Sequence, residues 1–201
     1  MVPHRAVSTL LFFIIILLNA CTEPKFQNLT PSMSVSSLNN NFFTTHDGVK
    51  LPIRIWKSNG SSPQAVILAV HGFNDYSNFI NAAANFLAKK NITTYAFDQR
   101  GFGAAPKAGL WPGVDALAID LLNLTYLVKI RHPESPLYLL GESMGGGVIM
   151  TTLKNAPEQA QDLELGGVIL SAPAVWGRQF MPWYQSTALW VAAHTFPGTK
   201  L

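Results

Sequence analysis

The stretch that decides the fold is LYLLGESMGGGVIM, residues 137–150. Its first four residues are apolar and predict a strand, and the run that begins at Gly146 predicts a helix. Between them lies the pattern Gly-x-Ser-x-Gly, centred on Ser143. A serine on a sharp strand-to-helix turn exposes its hydroxyl, and the following helix N-terminus stabilises a developing negative charge there. The pattern predicts Ser143 as a nucleophile; the plainer alternative is a glycine-rich turn that happens to contain a serine.

Apolar runs elsewhere in the chain alternate with segments of helical spacing. Four further strands are predicted, at Leu51–Trp56, Ala65–Val70, Ile92–Phe97 and Val168–Leu170. Helices are predicted after Ser77, which could cap the first, and over Asp115–Arg131, where acidic residues such as Asp120 near the start suit the helix dipole. This alternation predicts the α/β class, with a mostly parallel sheet and helices on both faces. Loops that begin at His71, at Asp98 and at Ser143 should then meet at the carboxyl edge of the sheet.

Composition narrows the range of partners. The chain has 201 residues, 48% of them hydrophobic and only 12% charged, which suits one α/β domain and suggests membrane association. The net charge is +3 and the longest basic run is Lys89-Lys90, so nothing indicates a nucleic-acid partner.

The amino terminus has the proportions of a signal peptide. A short basic start precedes the apolar core Leu10–Leu18, which is too short to span a bilayer comfortably. The tail Leu18-Asn19-Ala20-Cys21 resembles a bacterial lipobox. We therefore expect a lipoprotein of the bacterial cell envelope, with a signal peptide over residues 1–20, a lipid on Cys21 and a flexible tether over residues 21–41. An uncleaved anchor or an ordinary signal peptide is the alternative.

Three motifs, HGFNDYSN (71–78), FDQRGFG (97–103) and GESMGGG (141–147), carry a family resemblance. Their order and spacing resemble the monoacylglycerol lipase and lysophospholipase branch of the α/β-hydrolases, the serine aminopeptidase S33-type domain. The resemblance implies the α/β-hydrolase fold and a lipid ester substrate, with no metal and no cofactor. It also implies that Ser143 is the nucleophile and that the backbone amides of Phe73 and Met144 form the oxyanion hole.

In such hydrolases the acid and the histidine of the triad follow the serine in the chain. His71 is therefore expected to shape its loop rather than act as the base, and Asp98 is expected to pair with backbone and with Arg100. After Ser143, Asp162 comes too early for the acid, and His194 is the only histidine, in an aromatic stretch.

From this we expect an N-terminal part of a hydrolase, inactive as the 201-residue chain. The hydrolase core would cover residues 42–175 and the start of a lid residues 176–201, with the C-terminal strands and most of the lid missing. The strand at Val168–Leu170 would be an uncovered apolar edge.

Two other functions stay open at this point. The chain could be a non-catalytic lipid-binding lipoprotein that keeps a hydrolase fold, or an S33-type peptidase.

Overall fold

A computed structural model describes Gln27 and residues 34–60, 62–175 and 177–195. Residues 26–175 form one compact unit, and the described residues 177–195 belong to a second one. The predicted signal peptide and Cys21 lie outside the described residues.

The first unit is built on a mixed sheet. Its strands among the described residues are β1 (Ser37–Leu38), β2 (Phe42–Thr44), β3 (Lys50–Trp56), β4 (Ala65–Val70), β5 (Ile92–Phe97), β6 (Leu137–Glu142) and β7 (Gly167–Ser171). The spatial order is β1-β2-β3-β5-β4-β6-β7. Strands β5, β4, β6 and β7 run parallel, whereas β1, β2 and β3 join antiparallel at one side. The predicted parallel sheet is therefore confirmed, with an antiparallel extension.

Helices cover both faces of this sheet. In the same unit they are α1 (Asn81–Lys89), α2 (Val114–Arg131), α3 (Met144–Asn155) and the short α4 (Pro157–Asp162). Leu117, Leu121 and Leu124 of α2 pack with Ile149 of α3 in the larger core cluster on one face. Ala84 of α1 packs against the other face. Central strand β4 is covered on both sides, which explains its uninterrupted apolar sequence.

The sheet begins earlier in the chain than the sequence predicts. Strand β1 lies inside the predicted tether of residues 21–41 and pairs with β2. Gln27 is also bound to the core: its side-chain amide donates to the carbonyl of Leu110 at 2.7 Å, and its backbone N–H donates to that of Trp111 at 3.1 Å. The polar, aperiodic sequence of residues 21–41 does not predict these contacts, because they depend on backbone hydrogen bonds and on one side-chain amide.

The register of the parallel strands aligns three loops. Val70 at the end of β4 lies beside Gly141 of β6, and Ala69 lies beside Ala96 of β5. The loops that start at His71, Asp98 and Ser143 therefore leave the same edge of the sheet, as the sequence predicts.

Strand β7 forms the far edge of the sheet. Its apolar residues Val168, Ile169 and Leu170 remain 40–46% exposed, whereas the central strand β4 is buried on both faces. The predicted apolar edge is confirmed.

A buried ion cluster ties the antiparallel extension to α2. The Arg100 guanidinium donates to both carboxylate oxygens of Asp47 and to both of Asp120. Burial raises the pKa of Asp120 to about 6 despite its bonds to Arg100. Burial would also raise the pKa of Asp47, but hydrogen bonds from Arg100 and Thr45 hold it below its ordinary value. The expected pairing of Arg100 with Asp98 is wrong, because the Arg100 guanidinium is bound by Asp47 and by the buried Asp120.

The second unit contributes one described helix, α5 (Trp183–Thr195), after a 3₁₀ turn at Arg178–Phe180. Its aromatic side chains are exposed; Trp183 is 79% exposed. Among the described residues, no helix combines the length and the apolar character needed to cross a bilayer.

Candidate active site

Ser143 occupies a strained turn between β6 and α3. Its backbone has φ 48° and ψ −113°, far from the helical values that begin at Met144. A positive φ at a non-glycine residue is uncommon and costs free energy, on the order of 1–3 kcal/mol. The side chain of Ser143 remains partly exposed, and its hydroxyl has no hydrogen-bond partner among the described residues. The strained strand-to-helix turn that the sequence motif predicts is therefore present at Ser143.

Backbone contacts hold this turn against the neighbouring strand. A Cβ at Gly145 would stand 2.1 Å from the carbonyl oxygen of Val70, the last residue of β4. A Cβ at Gly141 would stand 2.6 Å from the amide nitrogen of Gly146. Both distances are far below van der Waals contact, so these glycines are required by the close approach of α3 to the sheet.

The loop after β7 supports the turn from its other side. The N–H of Ser143 donates to the carbonyl of Ser171 at 2.9 Å, and the N–H of Ala174 donates to the carbonyl of Ser143 at 2.8 Å. A Cβ at Gly146 would stand 2.8 Å from the Cβ of Pro173. Sequence reasoning missed this support, because a backbone contact between distant segments leaves no side-chain signal.

His71 closes the loop that follows β4. Its Nδ1 lies 2.7 Å from the carbonyl oxygen of Gly72, and its Nε2 accepts the N–H of Gln99 at 3.0 Å. The amide of Gln99 also donates to the carbonyl of His71 at 2.9 Å. Since Nε2 is an acceptor, Nδ1 carries the proton and donates to Gly72. Burial lowers the pKa of His71 below its ordinary 6.5, which favours this neutral form.

The hydrogen bond between His71 and Gly72 also sets the direction of the Phe73 N–H. The carbonyl of Gly72 and the N–H of Phe73 share one trans peptide and point in opposite directions. Because Gly72 turns its carbonyl to the buried imidazole, the N–H of Phe73 points away from it. An added Cβ at Gly72 would stand 3.4 Å from the Cβ of Ser143, so this loop borders the serine. Among the described residues, neither the N–H of Phe73 nor that of Met144 has an acceptor.

Asp98 links two loops through backbone hydrogen bonds rather than assisting a catalytic base. One carboxylate oxygen accepts the N–H of Ser77 and the other accepts the N–H of Ala104, both at 2.8 Å. The expected pairing with backbone is confirmed. Ser77 does not cap α1 as predicted; it starts a 3₁₀ turn before α1, and its hydroxyl accepts a bond from Arg54.

An apolar pocket of about 500 Å³ opens beside Met144. Trp111 and Val114 line it at the start of α2, Val148 and Met150 line it from α3, and Val175 lines it from the loop after β7. Its charged lining residue is Lys154.

An aromatic series connects this pocket with the His71 loop. The ring of Phe102 contacts Phe73 at 5.5 Å, His71 at 5.7 Å and Trp111 at 6.5 Å between centroids. Trp111 does not stand out in the sequence, because a single aromatic residue in a loop has no periodicity, whereas Phe102 belongs to the motif at residues 97–103.

Metal binding has no support in the described part of the chain, where no group of three or more His, Cys, Asp or Glu side chains could hold an ion. His194 lies in α5, but its side chain is outside the described residues.

Comparison with known proteins agrees with this geometry. The sequence profile of serine aminopeptidase S33 matches residues 61–201. The chain belongs to this S33 family.

Individual relatives include two proteins named as monoglyceride lipases. The S33-family chain is 28% identical over 130 residues to a monoglyceride lipase of Rattus norvegicus, covering 64% of this chain and 41% of that one. The crystal structure of a soluble variant of monoglyceride lipase from Saccharomyces cerevisiae, in complex with a substrate analog, superposes with a TM-score of 0.56 at 23% identity. That match covers 84% of this chain and 53% of the yeast chain.

An α/β hydrolase, GrgF of Penicillium sp. sh18, superposes with a TM-score of 0.55 at 22% identity, covering 76% of this chain and 51% of that one. The fold is that of the α/β-hydrolases. The chain spans 31–49% of the length of the first three curated relatives it matches.

The contact at Gly145 gives a stability prediction. Gly145→Ala should lower the free energy of unfolding by about 3 kcal/mol or more, because its Cβ meets backbone that cannot rotate away. Urea denaturation measures this change. Gly147→Ala is the matched control in the same helix: its Cβ meets only the carbonyl oxygen of Ala174, at 3.3 Å. It should change stability by no more than about 1 kcal/mol. Equal effects of the two substitutions would contradict the close packing.

The buried, hydrogen-bonded ring of His71 predicts a pH dependence of the free energy of unfolding. The unfolded ring binds a proton more tightly than the buried ring, so the contribution of His71 is complete above pH 6.5 and is lost as the pH falls toward the lowered pKa of the folded state. The free energy of unfolding, measured by urea denaturation between pH 7.5 and 5, should fall by up to about 1.4 kcal/mol per pH unit from this group.

His71→Gln is the control for that slope, because burial also lowers the pKa of His132. The variant should lose the part of the slope that belongs to His71. An unchanged slope would show that the ring is not held neutral by the fold.

Proposed function

We propose that this chain carries the nucleophile and oxyanion hole of a serine hydrolase that cleaves lipid esters. The observation that carries the proposal is the conformation of Ser143, a partly exposed residue with a positive φ that immediately precedes the N-terminus of α3. Such strain persists only where surrounding structure enforces it, and here Val70, Ser171 and Ala174 enforce it through backbone contacts.

The chemistry proceeds through an acyl-enzyme. Ser143 Oγ attacks the ester carbonyl carbon while a base takes the hydroxyl proton, and the carbonyl oxygen becomes an oxyanion. The N–H groups of Phe73 and Met144 donate to that oxyanion. Collapse expels the alcohol, which takes the proton back, and water then releases the acid by the same steps. Losing one oxyanion donor typically costs about 2.7–4 kcal/mol in the barrier.

The base is not His71. Both nitrogens of its ring are engaged, one with Gly72 and one with Gln99, and burial favours its neutral form. The carboxylate of Asp98 is likewise used by two backbone amides. We therefore infer that the histidine and acid that activate Ser143 are not among the described side chains.

The pocket beside Met144 favours an acyl chain over a peptide. An aminopeptidase has to bind the ammonium group of a substrate, which a carboxylate would recognise. Among the described residues that line the pocket none is acidic, and Lys154 is basic. An apolar pocket of about 500 Å³ suits a hydrocarbon chain. Relatives named as monoglyceride lipases agree with this choice.

The test is active-site labelling of the full-length protein. A fluorophosphonate should modify the wild-type protein, and Ser143→Ala should remove the label because only an activated serine reacts. Ser171→Ala is the control: Ser171 lies at the same edge of the sheet and contacts the turn only through its backbone carbonyl. Labelling that survives in Ser143→Ala would refute the assignment.

Substrate preference needs a separate measurement. Initial rates on a monoacylglycerol and on an aminoacyl anilide should favour the ester strongly. Labelling of Ser143 combined with a preference for the anilide would retain the nucleophile and replace the lipase by a peptidase. A folded protein that neither reacts with the probe nor hydrolyses either substrate would favour a non-catalytic lipid-binding protein.

We also propose that a lipid on Cys21 anchors the protein in the bacterial cell envelope. The support is the sequence alone: a basic start, a short apolar core and the tail Leu18-Asn19-Ala20-Cys21. Metabolic labelling with a radioactive fatty acid should mark the wild-type protein, and Cys21→Ala should lose both the label and the membrane fraction. Retention of the label in that variant would exclude Cys21 as the lipidation site.

A further inference from the structure

A second, polar pocket lies far along the sheet from the serine. It has a volume of about 300 Å³, and its lining includes Lys57, Ser58, Thr93, Tyr95, Arg131 and His132. We call it the basic pocket. Thr93 is the second residue of β5, whereas the loops of the candidate active site follow the carboxyl ends of the same parallel strands. The basic pocket is therefore separate from Ser143.

Two of its lining residues, the buried Tyr95 and the half-buried His132, form a hydrogen-bonded pair. The hydroxyl of Tyr95, a residue only 2% exposed, lies 2.7 Å from Nε2 of His132, and the two rings make an edge contact at 5.7 Å. Because this bond occupies one ring nitrogen, Nδ1 of His132 is the nitrogen available to a ligand.

Two cationic side chains, Arg131 and Lys57, line the basic pocket beside this pair. The Arg131 guanidinium is held by a bond from one nitrogen to the carbonyl of Leu38 at 2.7 Å. Lys57 follows β3 and makes no hydrogen bond or ion pair within the described part of the chain. The next residue, Ser58, is fixed by its N–H, which donates to the hydroxyl of Thr93 at 3.1 Å. Among the described residues that line the pocket, none is acidic. Lys57 and Arg131 therefore border an open pocket whose described lining supplies no counter-charge.

We propose that the basic pocket binds a phosphate group. A tetrahedral anion can accept from the remaining Arg131 donors, from Lys57 and from His132 at once, which a flat carboxylate of fewer oxygens cannot match. The shared chemistry is phosphate, either free or as the headgroup of a lipid. The site does not depend on the hydrolase reaction, so it can be tested independently of Ser143.

The first experiment is an NMR titration of the full chain with inorganic phosphate, with sodium chloride at equal ionic strength as the reference. The ring signals of His132 should shift with phosphate and not with chloride, while those of the buried His71 stay in place. Lys57→Gln should weaken binding about tenfold, the effect of one charge-assisted hydrogen bond. Lys57 is exposed and unpaired among the described residues, so this variant keeps the fold, which its melting temperature checks.

Lys89→Gln is the matched control, an exposed lysine of α1 that does not line the basic pocket. It should bind phosphate as the wild type does. Equal weakening by both substitutions, or a chloride response equal to that of phosphate, would reduce the effect to net charge and overturn the proposal. No shift of His132 in any titration would overturn it as well.

A short-chain soluble phosphatidic acid separates the two sources of phosphate. Tighter binding of this lipid than of inorganic phosphate, with the same loss in Lys57→Gln, identifies a lipid headgroup as the ligand. Binding of inorganic phosphate alone identifies a free phosphate. A lipid that binds with no sensitivity to Lys57 would place its contact elsewhere and contradict a headgroup in the basic pocket.

Discussion

The contact between Gly145 and the carbonyl of Val70 is the constraint on which the rest of the candidate active site depends. With no side chain at Gly145, helix α3 begins directly against the end of β4. That approach leaves no room for a gradual turn, so Ser143 takes a positive φ. It also brings the N-terminus of α3 beside Gly72, which borders the serine. The absence of a methyl group at Gly145 thus accounts both for the strained backbone of Ser143 and for the nearby N-terminus of α3.

Polar side chains around this turn form hydrogen bonds with backbone N–H and carbonyl groups that have no partner within a strand or helix. Loops that leave a buried sheet edge carry N–H and carbonyl groups away from water, where an unpaired group is costly. His71 and Asp98 answer that need through bonds to Gly72, Gln99, Ser77 and Ala104. Both residues have the chemistry of a catalytic triad, but both ring nitrogens of His71 and both carboxylate oxygens of Asp98 already bond backbone groups. Burial and hydrogen bonding therefore decide against catalysis by either side chain.

The apolar features of the chain divide between the core and its borders. Strand β7 has the composition of an interior strand and stands at an edge, and the pocket beside Met144 joins an aromatic series that runs through Phe102. The charged features divide in a similar way. The Asp47–Arg100–Asp120 cluster is enclosed and internally paired, whereas Lys57 and Arg131 face the open basic pocket. An enclosed charge stabilises an arrangement only when it is paired, as in the Asp47–Arg100–Asp120 cluster, whereas water solvates the exposed side chains of Lys57 and Arg131.

Local sequence determined strands β3 to β7, the main helices and the turn at Ser143, because apolar periodicity and the glycine spacing act between neighbouring residues. It also indicated that His71 shapes a loop. Tertiary structure alone decided that β1 joins the sheet, that Arg100 pairs with Asp47 and Asp120, and that Ala174 supports Ser143. These contacts join segments far apart in the chain, through backbone atoms or through charges whose partners depend on the path of the fold. No local pattern encodes such a choice, since the same side chain can pair with any partner that folding brings within reach.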